Sequence, residues 1–265
     1  MNSKIIQKLR SIFTVKNLIS RYSLFVGRID GVPIYINFSF AFTFLLITWI
    51  LSDSILPTIY PGIAHSTYII IGTLCAIISL FSILLHEVGH SVVAGNYGIK
   101  FERIVIFALG GIASNPIEIS VPKQEIFMAF AGPITSFIIS GLSLAVWFII
   151  YQSGIISLEN FPFETILFYG GMVNLIIGLF NLLPIFPSDG GRILRSFLSY
   201  YTHDHFKATR DAIRVGMIIS FSMFTIGAVV GLLFSFVSGI WLMLVAFFLM
   251  RGSRFYYNQY QNQHP

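Results

Sequence analysis

Charge is the scarcest ingredient of this 265-residue chain. Asp, Glu, Lys and Arg make up 10% of it, where a soluble domain carries roughly 25%. Hydrophobic residues account for 55%, and the mean hydropathy is +0.81. That leaves too little polar surface to cover a water-soluble globule and points to one polytopic membrane bundle. Cysteine is nearly absent. The single Cys75 has no partner for an internal disulfide. Its neighbours Leu74, Ala76, Ile77 and Ile78 bring no charge to activate a thiolate, so a small buried apolar role is expected. A cleavable leader is also missing from the pattern. The basic start (Lys4, Lys8, Arg10, Lys16) is not followed by a short apolar core and a small-residue cleavage site. No internal repeat or low-complexity tract stands out.

What is present is a series of apolar runs near the ~20 residues a membrane helix needs. They predict six spans, over residues 34–51, 68–94, 125–151, 165–183, 215–236 and a short 240–250. Around them lie a basic N-terminal segment (residues 1–30), a six-span domain (31–257) and a polar, frayed tail (258–265). The expected fold is all-α and membrane-embedded. All 16 Lys and Arg fall on one set of connections: six before the first span, Lys100, Arg103 and Lys123 after the second, Arg192 to Arg214 after the fourth, and Arg251 and Arg254 at the end. The opposite loops hold Asp53, Glu159 and Glu164. The positive-inside rule places both termini in the cytoplasm. It also accounts for the net charge of +5 without nucleic acid. Residues 207–214 are basic at helical spacing, which suits an anionic inner leaflet. Between residues 99 and 121 the helical pattern lapses. Gly110-Gly111 punctuates two strand-like runs, 104–107 and 117–121, which predict a β-hairpin or small sheet near the cytoplasmic face.

An acid inside a membrane span is costly and usually functional. Glu87 is such an acid, and it sits in His86-Glu87-Val88-Gly89-His90. On a helix the two histidines are one turn apart on one face, so two imidazoles can share a zinc, with Glu87 beside them as general base. A catalytic zinc usually takes three protein ligands. The candidate third is Asp189, in Asn181-Leu182-Leu183-Pro184-Ile185-Phe186-Pro187-Ser188-Asp189-Gly190-Gly191-Arg192. The second and fourth spans run the same way, so both motifs emerge near the cytoplasmic face. His203 and His205 make an H-x-H pair beside Asp204, read as solvated, and His65 and His264 stand alone.

The chain resembles the site-2 protease family of intramembrane zinc metalloproteases. The likeness rests on His86-Glu87-Val88-Gly89-His90 with Ala94, on Gly110-Gly111, on Ala131-Gly132-Pro133, and on Asn181, Pro184, Pro187 and Asp189-Gly190-Gly191-Arg192. It implies that His86, His90 and Asp189 bind Zn2+, that Glu87 is the general base, and that Asn181 holds substrate or stabilises the oxyanion. Ser188, Ser136 and Asn37 depart from residues common in the family, and no PDZ-like or CBS-like domain fits the short loops. The expected activity is hydrolysis of peptide bonds within or next to the membrane helices of single-span substrates in the lipid bilayer (regulated intramembrane proteolysis). The alternative is a metal transporter or an inactive metal-stabilised scaffold. A transporter is expected to string ionisable groups across the bilayer, often in repeated halves, whereas here they cluster near one face. A prenyl-protein protease also uses H-E-x-x-H, but its third ligand is expected to be a glutamate.

Overall fold

The computed structural model describes residues 22–108, 110–114, 121–153 and 161–263. In chain order the elements are β1 (Ser23–Ile29), β2 (Val32–Asn37), α1 (Phe40–Ile50), a π-helical stretch (Leu51–Ile55), α2 (Leu56–Ile59), α3 (His65–Asn96), β3 (Arg103–Phe107), β4 (Gly110–Ser114), α4 (Pro122–Gln152), α5 (Phe161–Asn181), α6 (Asp189–Thr202), α7 (His205–Leu233) and α8 (Phe236–Gln263). Among the described residues six helical segments are long and apolar enough to cross a bilayer, with α1 to α2 counting as one. Their outward residues include Phe42, Trp49, Leu142, Ile149 and Leu232. Large apolar side chains suit lipid rather than water, and the chain is a multi-pass membrane protein. By packing it divides into two units: residues 1–118 with 135–175, and residues 119–134 with 176–265.

The first unit holds a four-stranded sheet in the order β1-β2-β3-β4. β2 runs parallel to β3, and the outer pairs are antiparallel. The expected hairpin or small sheet is thus a four-stranded sheet, with β1 and β2 added to the predicted strand at β3. Residues 34–37, assigned above to the first span, belong to β2, where Val32 and Ile34 are buried in alternation with less buried neighbours. The β-branched and aromatic run Ile34-Tyr35-Ile36 favours a strand, and simple apolar counting merged it with α1. Asp30 and Gly31 both adopt positive φ (49° and 79°), the two-residue turn that matches strand twist. Asn37 ends β2: its Nδ2 donates to Ser23 Oγ at 3.1 Å, and its Oδ1 accepts from the Ser39 amide at 3.0 Å. The partner of β3 falls at Gly110–Ser114. Of the expected run 117–121, all but Val121 lies outside the described residues, as do residues 1–21 of the basic N-terminal segment.

Helix α3 has 32 residues and so extends about 48 Å at ~1.5 Å per residue. That exceeds the ~30 Å of a bilayer's hydrocarbon. It stops at Gly98, whose positive φ of 72° allows the Ile99 amide to bond back to the Ala94 carbonyl and the Gly98 amide to that of Gly95. Its buried face carries Cys75, Ser79, Ser82, His86 and His90. Ser79 pairs with Tyr169 at 2.7 Å, and Asn174 Nδ2 donates to Ser82 at 2.8 Å. These tie α3 to α5, and each such bond between membrane helices is worth about 0.6 kcal/mol. Leu51, Leu56, Tyr68, Ile71, Cys75 and Phe161 form the apolar core of this unit.

In the second unit Asp204 caps α7, its side chain accepting from the Lys207 amide at 2.8 Å. The basic stretch 207–214 is therefore the opening of the fifth membrane helix. The last helix differs most from expectation. It begins at Phe236 and continues to Gln263 rather than spanning 240–250. Gly239, placed above in the connection, lies inside α8. A side chain there would collide with the Gly231 backbone of α7, so its absence lets the two helices close on each other.

Candidate metal centre

His86, Glu87 and His90 occupy the last third of α3 and are all buried, at 3%, 8% and 4% exposure. The helical period does the work the sequence assigned to it: the imidazole centroids lie 4.9 Å apart with planes at 81°. His86 Nδ1 lies 2.9 Å from Ser136 Oγ on α4, and Ser136 is fully buried. A metal-ligating imidazole commonly gives its second ring N–H to such an oxygen. With Nδ1–H donated to Ser136, Nε2 keeps the lone pair that a cation needs. In the sequence Ser136 stands out only as a departure from a family pattern, because it lies 50 residues from His86.

Glu87 lies against strand β4. A Cβ built on Gly111 would come 2.5 Å from Glu87 Cγ and Oε1, so only a glycine admits this closeness. Gly110, with φ 142°, starts the same strand. Gly111 therefore serves close approach to a carboxylate, whereas a Cβ on Gly110 would meet nothing within 4 Å. Helix α1 holds this hairpin at Ala108: Thr43 Oγ1 donates to the Ala108 carbonyl at 2.6 Å, and Ser39 Oγ accepts from its amide at 3.1 Å.

The other two sequence candidates belong to the second unit. Asp189 is buried and opens α6, with Ser188 in extended geometry before it. Ser188 Oγ donates to the carbonyls of Leu183 (2.6 Å) and Ile185, which folds residues 183–188 tightly. Side chains at Gly190 or Gly191 would strike the backbone of Leu182, Leu183, Ile185 or Phe186. Asn181 ends α5, and its Nδ2 donates to the Ile177 carbonyl at 2.9 Å. An amide NH2 has two N–H groups, so that bond uses one of them. His203 sits exposed in left-handed backbone (φ 54°), and His205 Nδ1 lies 3.3 Å from Ser199 Oγ. Among the described residues this pair joins no group of metal-capable side chains.

The donor chemistry fits a zinc. His86 and His90 offer ring nitrogens and Asp189 a carboxylate, each of them buried, and these are donor types that a catalytic zinc accepts. Six membrane-length helices, a small sheet and a buried His-Glu-x-x-His helix together define a class: a multi-pass membrane protein with a metalloprotease motif.

The comparisons with known proteins agree. Peptidase family M50 matches residues 74–164 and 148–224, more than half of the chain. Rip3 of Mycobacterium tuberculosis is 31% identical over 231 residues, 86% of this chain and 57% of that protein. Zinc metalloprotease MJ0392 of Methanocaldococcus jannaschii is 33% identical over 207 residues, 78% of this chain and 54% of that protein. The chain thus spans a little over half the length of these relatives. The solved site-2 protease from Methanocaldococcus jannaschii superposes with a TM-score of 0.59 at 31% identity, covering 88% of this chain and 94% of that one. The chain belongs to peptidase family M50 and has the fold of a site-2 protease.

Proposed function

We propose that this chain is a zinc-dependent endopeptidase that cuts peptide bonds within or beside the membrane helices of single-span substrates, the chemistry of regulated intramembrane proteolysis. The observation that carries the reading is the buried His86-Glu87-x-x-His90 face on a membrane helix, with His86 oriented by Ser136 and Glu87 pressed on Gly111. His86, His90 and Asp189 hold the zinc. When bound, the metal supplies Lewis acidity toward water and the scissile carbonyl.

Glu87 takes a proton from the attacking water and delivers it to the leaving amine as the C–N bond breaks. Burial suits that task, because a carboxylate shielded from bulk water keeps the proton for the amine. The second N–H of Asn181 donates to the oxyanion that develops on the carbonyl oxygen. A substrate helix must unwind first, since its carbonyls are otherwise committed to internal hydrogen bonds. Among the described residues β4 is the outer strand of the sheet, and its outer side can receive the unwound segment as an added strand. Both termini face the cytoplasm, and the site lies nearer that face.

The test is cleavage of a fluorogenic single-span peptide in vesicles holding the purified protein. Wild type cuts it, and a zinc chelator or Glu87→Gln lowers the rate by ~10²–10⁴-fold. Cleavage by Glu87→Gln at the wild-type rate would end this mechanism. Metal flux into the vesicles with no proteolysis would favour a transporter.

A further inference from the structure

Glu125 is 1% exposed and is one of the most buried charges in the described chain. It stands in the first turn of α4 and gathers three side chains of α6. Arg195, itself 5% exposed, pairs with its Oε1, Ser196 Oγ donates to its Oε2, and Arg192 Nε lies 3.7 Å from Oε1. On an α-helix, positions 189, 192, 195 and 196 share one face. Two of them, Arg195 and Ser196, are hydrogen-bonded to Glu125, Arg192 lies near it, and the fourth is Asp189. The far side of Arg195 is held as well. It donates to Tyr256 Oη, whose ring stacks on Phe186 at 4.4 Å and 16°, and Ser253 donates to the Phe186 carbonyl at 2.7 Å. Burial pulls the pKa of Arg195 down, but Glu125 and Tyr256 outweigh it and leave it above its ordinary value. The guanidinium is therefore a permanent charge in this brace.

Arg192 is the movable member. Its side chain is 27% exposed, and it stands between two carboxylates: Nε at 3.7 Å from Glu125 and Nη1 at 3.9 Å from Asp189. Both separations are long for charge-assisted hydrogen bonds, which run about 2.7–2.9 Å. A guanidinium that closed on Asp189 would claim carboxylate lone pairs and oppose a divalent cation there. We propose that Glu125 is a positioning residue for Asp189. It fixes the rotation of α6 through Arg195 and Ser196, and it restrains Arg192 from closing on the ligand carboxylate. This rests on the reading of Asp189 as a zinc ligand.

The experiment is zinc affinity in detergent, by competition with a chromogenic chelator, for wild type, Glu125→Gln, Arg192→Gln, the double variant and Asp189→Ala. Glu125→Gln binds zinc at least about tenfold more weakly, the scale of losing a residue that supports a ligand. The double variant recovers the part of that affinity lost to Arg192 and so binds more tightly than Glu125→Gln alone, which a role in general stability would not produce. Arg192→Gln alone binds at least as tightly as wild type, and this holds even if Glu125→Gln fails to fold. Unchanged affinity in Glu125→Gln, a double variant as weak as the single, or weakened binding by Arg192→Gln would each overturn the proposal. Wild-type affinity in Asp189→Ala would instead remove the ligand assignment beneath it.

Discussion

His86 Nδ1 and Ser136 Oγ lie 2.9 Å apart, joining two membrane helices at a pair of side chains that are both buried. With Nδ1–H donated to Ser136, the contact would leave Nε2 of His86 for the proposed metal. Ser136→Ala removes it while keeping a small apolar side chain in the same space. Zinc affinity should fall about tenfold, with the fold intact by thermal unfolding in detergent. Wild-type affinity in this variant would show that His86 needs no such support.

Gly111→Ala tests the closeness of β4 to Glu87. The added methyl would overlap the Glu87 carboxylate and displace it, while the histidines keep their places on α3. Cleavage should drop by about 10²-fold, the usual scale of a ~1 Å misplacement, with zinc content unchanged. Gly27→Ala is the control, because nothing lies within 4 Å of a Cβ there. Equal activity of the two variants would mean that the strand does not position the base.

Much of this was legible in the sequence, for a physical reason. Apolar runs must match bilayer thickness, and metal ligands must be His, Cys or acid at helical spacing, so both leave strong local signals. His86, Glu87 and His90 lie on the predicted face of the predicted helix. The sheet was half missed. Asp30-Gly31 between alternating apolar residues is a strong hairpin signal, but Ile34-Tyr35-Ile36 was absorbed into a hydropathy count. Gly111 reads locally as punctuation between strands and Gly239 falls between two predicted spans, although each instead makes room for a neighbouring element. Ser136 and Glu125 act through contacts 50 and 70 residues away, which no local pattern carries.

The two hydrogen bonds that hold Ala108 to α1 predict a measurable effect on motion. In Ser39→Ala/Thr43→Val the β3–β4 turn loses both. Each is worth about 1 kcal/mol, so amide exchange across residues 103–114 should speed up roughly tenfold or more. Unchanged exchange would mean that the sheet alone fixes the hairpin.

Membrane orientation is open to a labelling test. Cys75, the one native thiol, is buried, so background reaction is low. Arg254→Cys should be protected in intact cells from a membrane-impermeant maleimide, and Asp53→Cys should react. The opposite pattern would invert the topology drawn from the basic residues.

The ligands proposed for one catalytic zinc are His86, His90 and Asp189. Metal content of the purified protein, beside His90→Ala and Asp189→Ala, tests that assignment most directly. About one zinc per chain is expected in the wild type, lost or strongly weakened in both variants, as for a three-ligand site. Zinc retained at full occupancy in Asp189→Ala, or no zinc bound by the wild type after reconstitution, would contradict it.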